Sequence, residues 1–391
     1  MGRHFRLLEA AAENIIRYGH RTGVLVLCLA VFLIPLLTGL AISEAIKAQA
    51  ARSVDVGPDL LLSMDYGGRS GPISMDMVDR VKKMDYVKKV VPRVVGRMYY
   101  GSKLLIAIGL PEEEIPPFAT QIIEGRAFKP GERKVILAGK GYVDYVRGLG
   151  REIKPGETVS LTDIRGETWG YQLAGIISSE DVTLWNYDVI VMPLEDAQEY
   201  FGLEGMATEI MVNILPGYEV SVLGELRTFG DFFRLQSKSL MKQYIRSGHA
   251  ERQTIFSLVY VIILVIAIPL ISMLSVYGLT ERRREVGILK ASGWQTSDIL
   301  ELSFFESVIL SLLSVAVAFI ISILWIKVFN GFVISRLFIS HEVFYPPFPV
   351  PAVFSFYLVV IALFVSMTIT LVGTITSTWK TAVTPPADAM R

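Results

Sequence analysis

The residues of this chain best suited to chemistry do not assemble into a catalytic pattern. His4, His20, His249 and His341 are too scattered to form an H-E-x-x-H metal pair, Cys28 stands alone in an apolar run, and neither Cys-x-x-Cys nor G-x-S-x-G occurs. Met64, Met75, Met77, Met84 and Met98 gather early in the chain. A Met75-x-Met77 pair has the softness for Cu(I), but methionine is foremost a filler of irregular cores, so no metal is expected. No G-x-x-x-x-G-K-[ST] loop occurs, and the only Gly-Lys pair, Gly139-Lys140, is followed by Gly141. Energised work would therefore draw its hydrolysis from another polypeptide. The 38 basic and 38 acidic residues balance, which gives no electrostatic case for nucleic acid.

Two charged features remain. Glu281, Arg282, Arg283, Arg284, Glu285, Val286, Gly287, Ile288, Leu289 and Lys290 form a basic, partly apolar segment suited to a helix in a partner's groove. Glu281 with Arg284 and Arg282 with Glu285 are spaced i,i+3, Gly293 suits a left-handed helix end, and Asp298-Ile299-Leu300-Glu301 reads as a capping box. The second feature is Glu306, an acid within an apolar run. Its cost there predicts that it faces a partner helix or the membrane interface, as a functional group or by snorkelling.

The elements that position these residues are membrane spans. Crossing about 30 Å of hydrocarbon takes about 20 apolar residues, and four such windows occur. Basic residues flank them unevenly: Arg3, Arg6, Arg17 and Arg21 before the first, Arg282 to Arg284 and Lys290 between the second and third, and Lys380 and Arg391 after the fourth. The positive-inside rule makes all three segments cytoplasmic. The expected division is a cytoplasmic N-terminal helix (1–22), span one (23–43), an extracytoplasmic domain (44–252), span two (253–278), a cytoplasmic loop and helix (279–301), span three (302–328), an outer loop (329–349), span four (350–376) and a cytoplasmic tail (377–391). Ala48-Gln49-Ala50 has the form of a signal-peptidase site, but the apolar stretch before it exceeds the roughly 7–15 residues of a signal core, so an uncleaved anchor is expected.

Between Glu44 and Arg246 lie 25 of the basic and 28 of the acidic residues, so this region is the water-exposed domain. Alternating apolar residues predict strands at 59–64, 134–138, 158–162, 171–177 and 189–192, separated by turns such as Lys154-Pro155-Gly156-Glu157. Ser74 should cap a helix bearing Val78, Val81 and Met84 on one face, and Pro193 should open another carrying Ala197 and Tyr200 and ending near Gly202. Glu112-Glu113-Glu114 before Pro116-Pro117 reads as a solvated loop. Phe229, Phe232 and Phe233 would lie against lipid headgroups or inside the domain. The fold class is a membrane protein with four transmembrane α-helices and a large α+β extracytoplasmic domain between the first and second.

The stretch from Thr280 to Trp294 resembles the loop after the second span of FtsX/MacB-type permeases, the membrane subunits of ABC transporters. Pro386-Ala387-Asp388-Ala389-Met390-Arg391 is similar to the ending of that family. The order Gly125-Arg126, Val135, Gly150, Pro155-Gly156, Gly175-Ile176, Val191-Met192-Pro193 and Ala197 resembles its periplasmic core domain. Trp294 departs from the small or polar residue usual at its place, and the fused ATPase domain of MacB itself is missing.

The resemblance implies a coupling helix at 281–290 seated on a dimeric cytoplasmic ATPase, which binds ATP and Mg²⁺ while this chain holds no cofactor. It further implies a second permease copy, identical or related, in the cell (inner) membrane, with both termini cytoplasmic and an outer-side partner for the domain. Mechanotransmission that drives export or extraction of a substrate is the expected activity. The alternative is ATPase-driven regulation of an outer-side enzyme such as a cell-wall hydrolase.

Overall fold

The computed structural model describes residues 3–67, 69–114, 122–178, 187–230, 232–276, 286–338 and 349–383. The chain forms two compact units, residues 1–46 with 248–391, and residues 47–247. In chain order the elements begin with α1 (Arg3–Arg17) and α2 (Gly19–Val56). The second unit contributes β1 (Leu60–Tyr66), β2 (Arg69–Gly71), β3 (Ile73–Ser74), α3 (Met75–Lys82), β4 (Val87–Tyr100) and β5 (Lys103–Leu110). It continues with β6 (Ile122–Gly125), β7 (Val135–Gly139), α4 (Lys140–Gly148), β8 (Thr158–Thr162), β9 (Thr168–Ile177), β10 (Val189–Pro193) and α5 (Leu194–Phe201). After β11 (Met206–Ala207), β12 (Glu209–Ile214), α6 (Glu219–Arg227) and β13 (Phe233–Ser237) come the long helix α7 (Lys238–Val276), a short helix α8 over residues 286–291, α9 (Thr296–Phe329) and α10 (Phe356–Val383).

Among the described residues four helices are long and apolar enough to cross a membrane: α2, α7, α9 and α10. Leu29, Leu33, Leu37 and Ala41, each one turn apart on α2, are all buried and make the seam against which the others lie. Leu29 meets Ile271 of α7 and Ile369 of α10 in one cluster. A Cβ on Gly39 would come within 2.3 Å of the Phe256 ring, so only glycine lets α7 approach α2 there. Pro35 interrupts the hydrogen-bond ladder of α2. Around it the carbonyls of Phe32 and Ile34 accept the hydroxyls of Tyr260 and Ser322 at 3.3 and 3.4 Å. On α9, Ser307, Ser311, Ser314, Ala318 and Ser322 form a buried stripe of small residues, and Ser311 meets Thr370 of α10 at 3.3 Å. Small side chains let helix backbones approach closely where hydrocarbon offers no hydrophobic drive.

The second unit is built on an eleven-stranded mixed sheet ordered β13-β1-β12-β4-β5-β10-β7-β9-β6, with β2 added to β1 and β8 to β9. The pairs β5 with β10 and β7 with β9 are parallel. Two separate cores share the long strand β4. Leu60, Leu62, Val78, Val81, Ile210 and Val212 build one with α3 and α6, while Val94, Met98, Leu105, Tyr142, Leu173 and Ala197 build the other with α4 and α5. The α+β class with four apolar helices is as expected, and the sequence had also placed strands β1 and β7 to β10. The Ser74 hydroxyl accepts the Asp76 N–H at 3.3 Å to cap α3, and Gly202 closes α5 at φ +61. Met84 and Met98 are buried in the two cores, with Met75 and Met77 packed against them.

One loop expectation changes, and one alternative is chosen. Glu112 to Glu114 form a 3-10 turn in which Glu112 accepts the Gly131 N–H at 2.7 Å and Glu114 pairs with Lys89, so partners on neighbouring elements replace solvent. Phe229 and Phe233 pack against the first core, with the Arg80 guanidinium over the Phe229 ring, while Phe232 is exposed.

Helix α5 lies on the sheet through two glycines. A Cβ on Gly96 would sit 2.3 Å from the Phe201 ring, and one on Gly109 would sit 2.2 Å from the Ala197 Cβ. Gly109→Val is therefore expected to lift α5 and cost about 3 kcal/mol, the upper end for overpacking a tight core. A melting temperature of the full-length protein within a degree of the parent would exclude this close approach.

Asp59 ties the start of the sheet to its end. Its carboxylate accepts the Ile214 N–H at 2.9 Å and the Lys238 ammonium at 3.1 Å, and its carbonyl accepts the Lys238 N–H. Four residues away on each side, Asp55 of α2 pairs with Lys242 of α7 at 2.5 Å. Burial pushes the Asp59 carboxyl upward, but the Ile214 N–H and Lys238 together outweigh it and hold it below the ordinary carboxylate range. A depressed folded pKa stabilises the fold above the unfolded value of about 3.9, and this contribution disappears as pH falls through the lower, folded value. Asp59→Asn should thus lower stability at pH 7 and flatten its decline between about pH 5 and 3. Parallel acid-unfolding curves for the two proteins would refute the assignment.

Candidate functional site

The charged segment singled out from sequence enters the structure at Val286; Glu281, Arg282, Arg283, Arg284 and Glu285 lie outside the described residues. Helix α8 holds Val286, Gly287, Ile288, Leu289 and Lys290. Val286 is buried against Ile299 of α9, whereas Ile288 is 55% exposed. The helix ends in a complete Schellman arrangement: Trp294 N–H bonds to Leu289 C=O at 3.1 Å, Gly293 N–H bonds to Lys290 C=O at 3.0 Å, and Gly293 adopts φ +100. That geometry satisfies carbonyls a helix otherwise leaves open, and it suits glycine because a Cβ is strained at positive φ.

The cap of α9 lies one turn earlier than the sequence reading placed it. Gln295 is the N-cap and Asp298 occupies the third position, its carboxylate accepting the Gln295 N–H at 2.9 Å. Glu301, expected to close the box, instead pairs with His4 of α1. Since α9 begins at Thr296, Asp298 is already inside the helix and serves as the closing acid of the box. The turn from Gly293 to Thr296 is accordingly short and bonded at both ends.

Helix α1 completes the site, and its part in it was missed. Leu7 and Ala11 are buried, and α1 packs along the beginning of α9. Glu306, half-buried, accepts the Asn14 side-chain amide at 3.1 Å. The bond joins Glu306 to the N-terminal helix, in line with an acid that should face another helix. The available sequence signal was the spacing of Leu7, Ala11 and Asn14, three and four residues apart on one face. Between Arg6, Leu7 and Ala10 of α1 and the turn Ser292–Trp294 lies a groove of about 310 Å³. The arrangement offers an exposed apolar side chain on a capped helix docked on α9, along whose beginning α1 packs; among the described residues no cluster of three or more metal-ligating His, Cys, Asp or Glu occurs.

Comparison with known proteins gives matches for both units. The FtsX-like permease C-terminal model matches residues 257–386, and the MacB-like periplasmic core domain model matches residues 24–224. An uncharacterized ABC transporter permease of Methanocaldococcus jannaschii is 26% identical over 245 residues, 56% of this chain and 57% of that protein. The match thus spans little more than half of the relative's length. The crystal structure of the periplasmic region of MacB from Actinobacillus actinomycetemcomitans covers 50% of this chain and 95% of its own at 16% identity, with a TM-score of 0.38. The extracellular domain of the noncanonic ABC-type transporter YknZ from Gram-positive bacteria covers 45% and 97% at 13% identity, with a TM-score of 0.33.

Proposed function

Because the chain belongs to the family of ABC transporter permeases that carry a MacB-like periplasmic core domain and an FtsX-like C-terminal domain, we propose that it converts ATP hydrolysis on a separate cytoplasmic ATPase into movement of its outer domain. The family implies the ATPase partner. In this reading residues 281–290 are the coupling helix. ATP and Mg²⁺ belong to the ATPase dimer, two permease copies sit over it, and residues 44–252 lie outside the cell (inner) membrane with both termini cytoplasmic.

The observation that carries the reading is the stiff mounting of α8. A helix closed by a Schellman turn, followed without slack by the capping box of α9, transmits displacement to α9 where an open loop would absorb it. Glu306 and Asn14 extend the same mounting to α1. The helices that carry the motion are long enough: α2 has 38 residues and α7 has 39, about 57 Å each at 1.5 Å per residue, against about 30 Å of hydrocarbon. The basic residues that flank the spans set the orientation.

The test is the ATPase activity of the complex reconstituted with permease altered at Arg283, Glu285 and Leu289. Loss of permease-dependent activity is expected. Unchanged assembly and activity would defeat the coupling assignment.

A further inference from the structure

Among the described residues, strand β4 has one edge that is only half used. On one side it pairs with β12 from Val87 to Arg93, and on the other its pairing with β5 begins at Val94 opposite Gly109. Strand β5 ends at Leu110, and Pro111 with the turn Glu112–Glu114 leads the chain away. The Arg93 carbonyl accepts the Thr208 N–H and the Val95 N–H donates to the Thr208 hydroxyl, so odd-numbered residues here face the β12 side. Main-chain direction alternates along a strand, which turns the N–H and C=O of Val90 and the C=O of Pro92 to the other side. Among the described residues no main-chain group bonds to them there. Proline at this register agrees, since its missing N–H would have faced the unused edge.

A groove of about 330 Å³ runs beside this edge, walled by Val78, Asp79 and Lys82 of α3 and by Pro111 and Glu113. That volume lies in the range of ligand clefts, about 300–1,000 Å³. Lys89 is paired with Glu114, and the remaining charged lining residues are two lysines, Lys82 and Lys88, and two acids, Asp79 and Glu113. Balanced charge does not select an anion or a cation. What the groove offers in one line is a main-chain donor and two acceptors beside apolar Val78 and Val87. Those are the requirements of an extended polypeptide, whose affinity in strand addition comes from main-chain bonds.

We propose that β4 from Lys88 to Pro92 is a strand-addition site, at which an extended segment of another protein pairs with Val90 and lies in the groove between α3 and the Glu112–Glu114 turn. The inference does not depend on the coupling role of α8. Lys88, Lys89 and Pro92 are also residues that blunt an idle edge, and hydrogen exchange separates the two.

The probe is a heptapeptide of alternating threonine and valine, joined through maleimide to Glu113→Cys in full-length permease carrying Cys28→Ser, in lipid nanodiscs. In the untethered protein the Val90 amide should exchange at least about tenfold faster than that of Val91, which is bonded to β12. Tethering should slow Val90 by about tenfold or more, and a peptide with proline at every second position should not. Slow exchange of Val90 before tethering means the edge is already occupied by the chain's own residues, including 115–121, and overturns the proposal. So does unchanged exchange after tethering, or equal slowing by the proline peptide.

Discussion

Asp196→Ala is expected to destabilise the outer unit by about 2–4 kcal/mol, from a buried acceptor's lost hydrogen bonds and the strained turn that it holds. Asp196 lies on α5 with its side chain fully buried. One carboxylate oxygen accepts the Arg133 guanidinium at 2.5 Å and the other accepts the Lys134 N–H at 2.6 Å. Lys134 adopts φ +54, a conformation that a side chain other than glycine takes at a cost, and the Asp196 bond to its N–H holds it there. Alanine would leave that N–H unsatisfied beside a cavity and release the turn that leads into β7. Arg133 itself is about half exposed, so Arg133→Ala should cost no more than about 1 kcal/mol. The contrast locates the energy in the buried acceptor. Chemical unfolding of the full-length protein can be followed by Trp169, because the Lys134 ammonium lies 4.3 Å from the centre of its ring. Equal losses for the two variants, or an Asp196→Ala loss below 1 kcal/mol, would show that the carboxylate does not hold the turn.

Ile288→Glu is expected to weaken docking of the ATPase by about 2–4 kcal/mol, roughly 30- to 1,000-fold, if α8 is the coupling helix and Ile288 its central apolar contact. The change should leave the permease folded, since Ile288 is 55% exposed while neighbouring Val286 carries the contact with Ile299. Permease stability and ATPase stimulation should therefore separate: an unchanged melting temperature with lost stimulation for Ile288→Glu, and a lowered melting temperature for Val286→Ala. Co-purification in mild detergent supplies the affinity. An Ile288→Glu permease that recovers the ATPase and stimulates it as the parent does would remove α8 from the interface.

What could be read from residues alone was what depends on local chemistry. A window of about 20 apolar residues is a statement about length against bilayer thickness, so the four long helices were visible before any tertiary contact was known. The alternation in β7 to β10, the Ser74 cap and the Gly202 end were legible for the same reason, because each satisfies its own neighbours. The hairpin of β4 and β5 was not. The Lys88-Lys89 pair and Pro92 break the pattern of β4 on the side where β5 does not reach, and its two halves serve different cores. The cap of α9 was placed one turn late because Asp298 and Glu301 both have acids suited to a box, and only His4, nearly 300 residues away, shows which one is engaged elsewhere.

The same division runs through the sites. Residue types and spacing alone marked the charged segment before the third span and the acid Glu306, since a basic helix and an acid in an apolar run are conspicuous in one dimension. Only the tertiary structure decided that Asn14 meets Glu306, that Asp196 reaches back to Lys134, and that Val90 lines a groove beside α3. Those pairings are settled by which strand lies beside which and by which helix face is covered. Closure of distant segments determines that, and local propensity has no access to it.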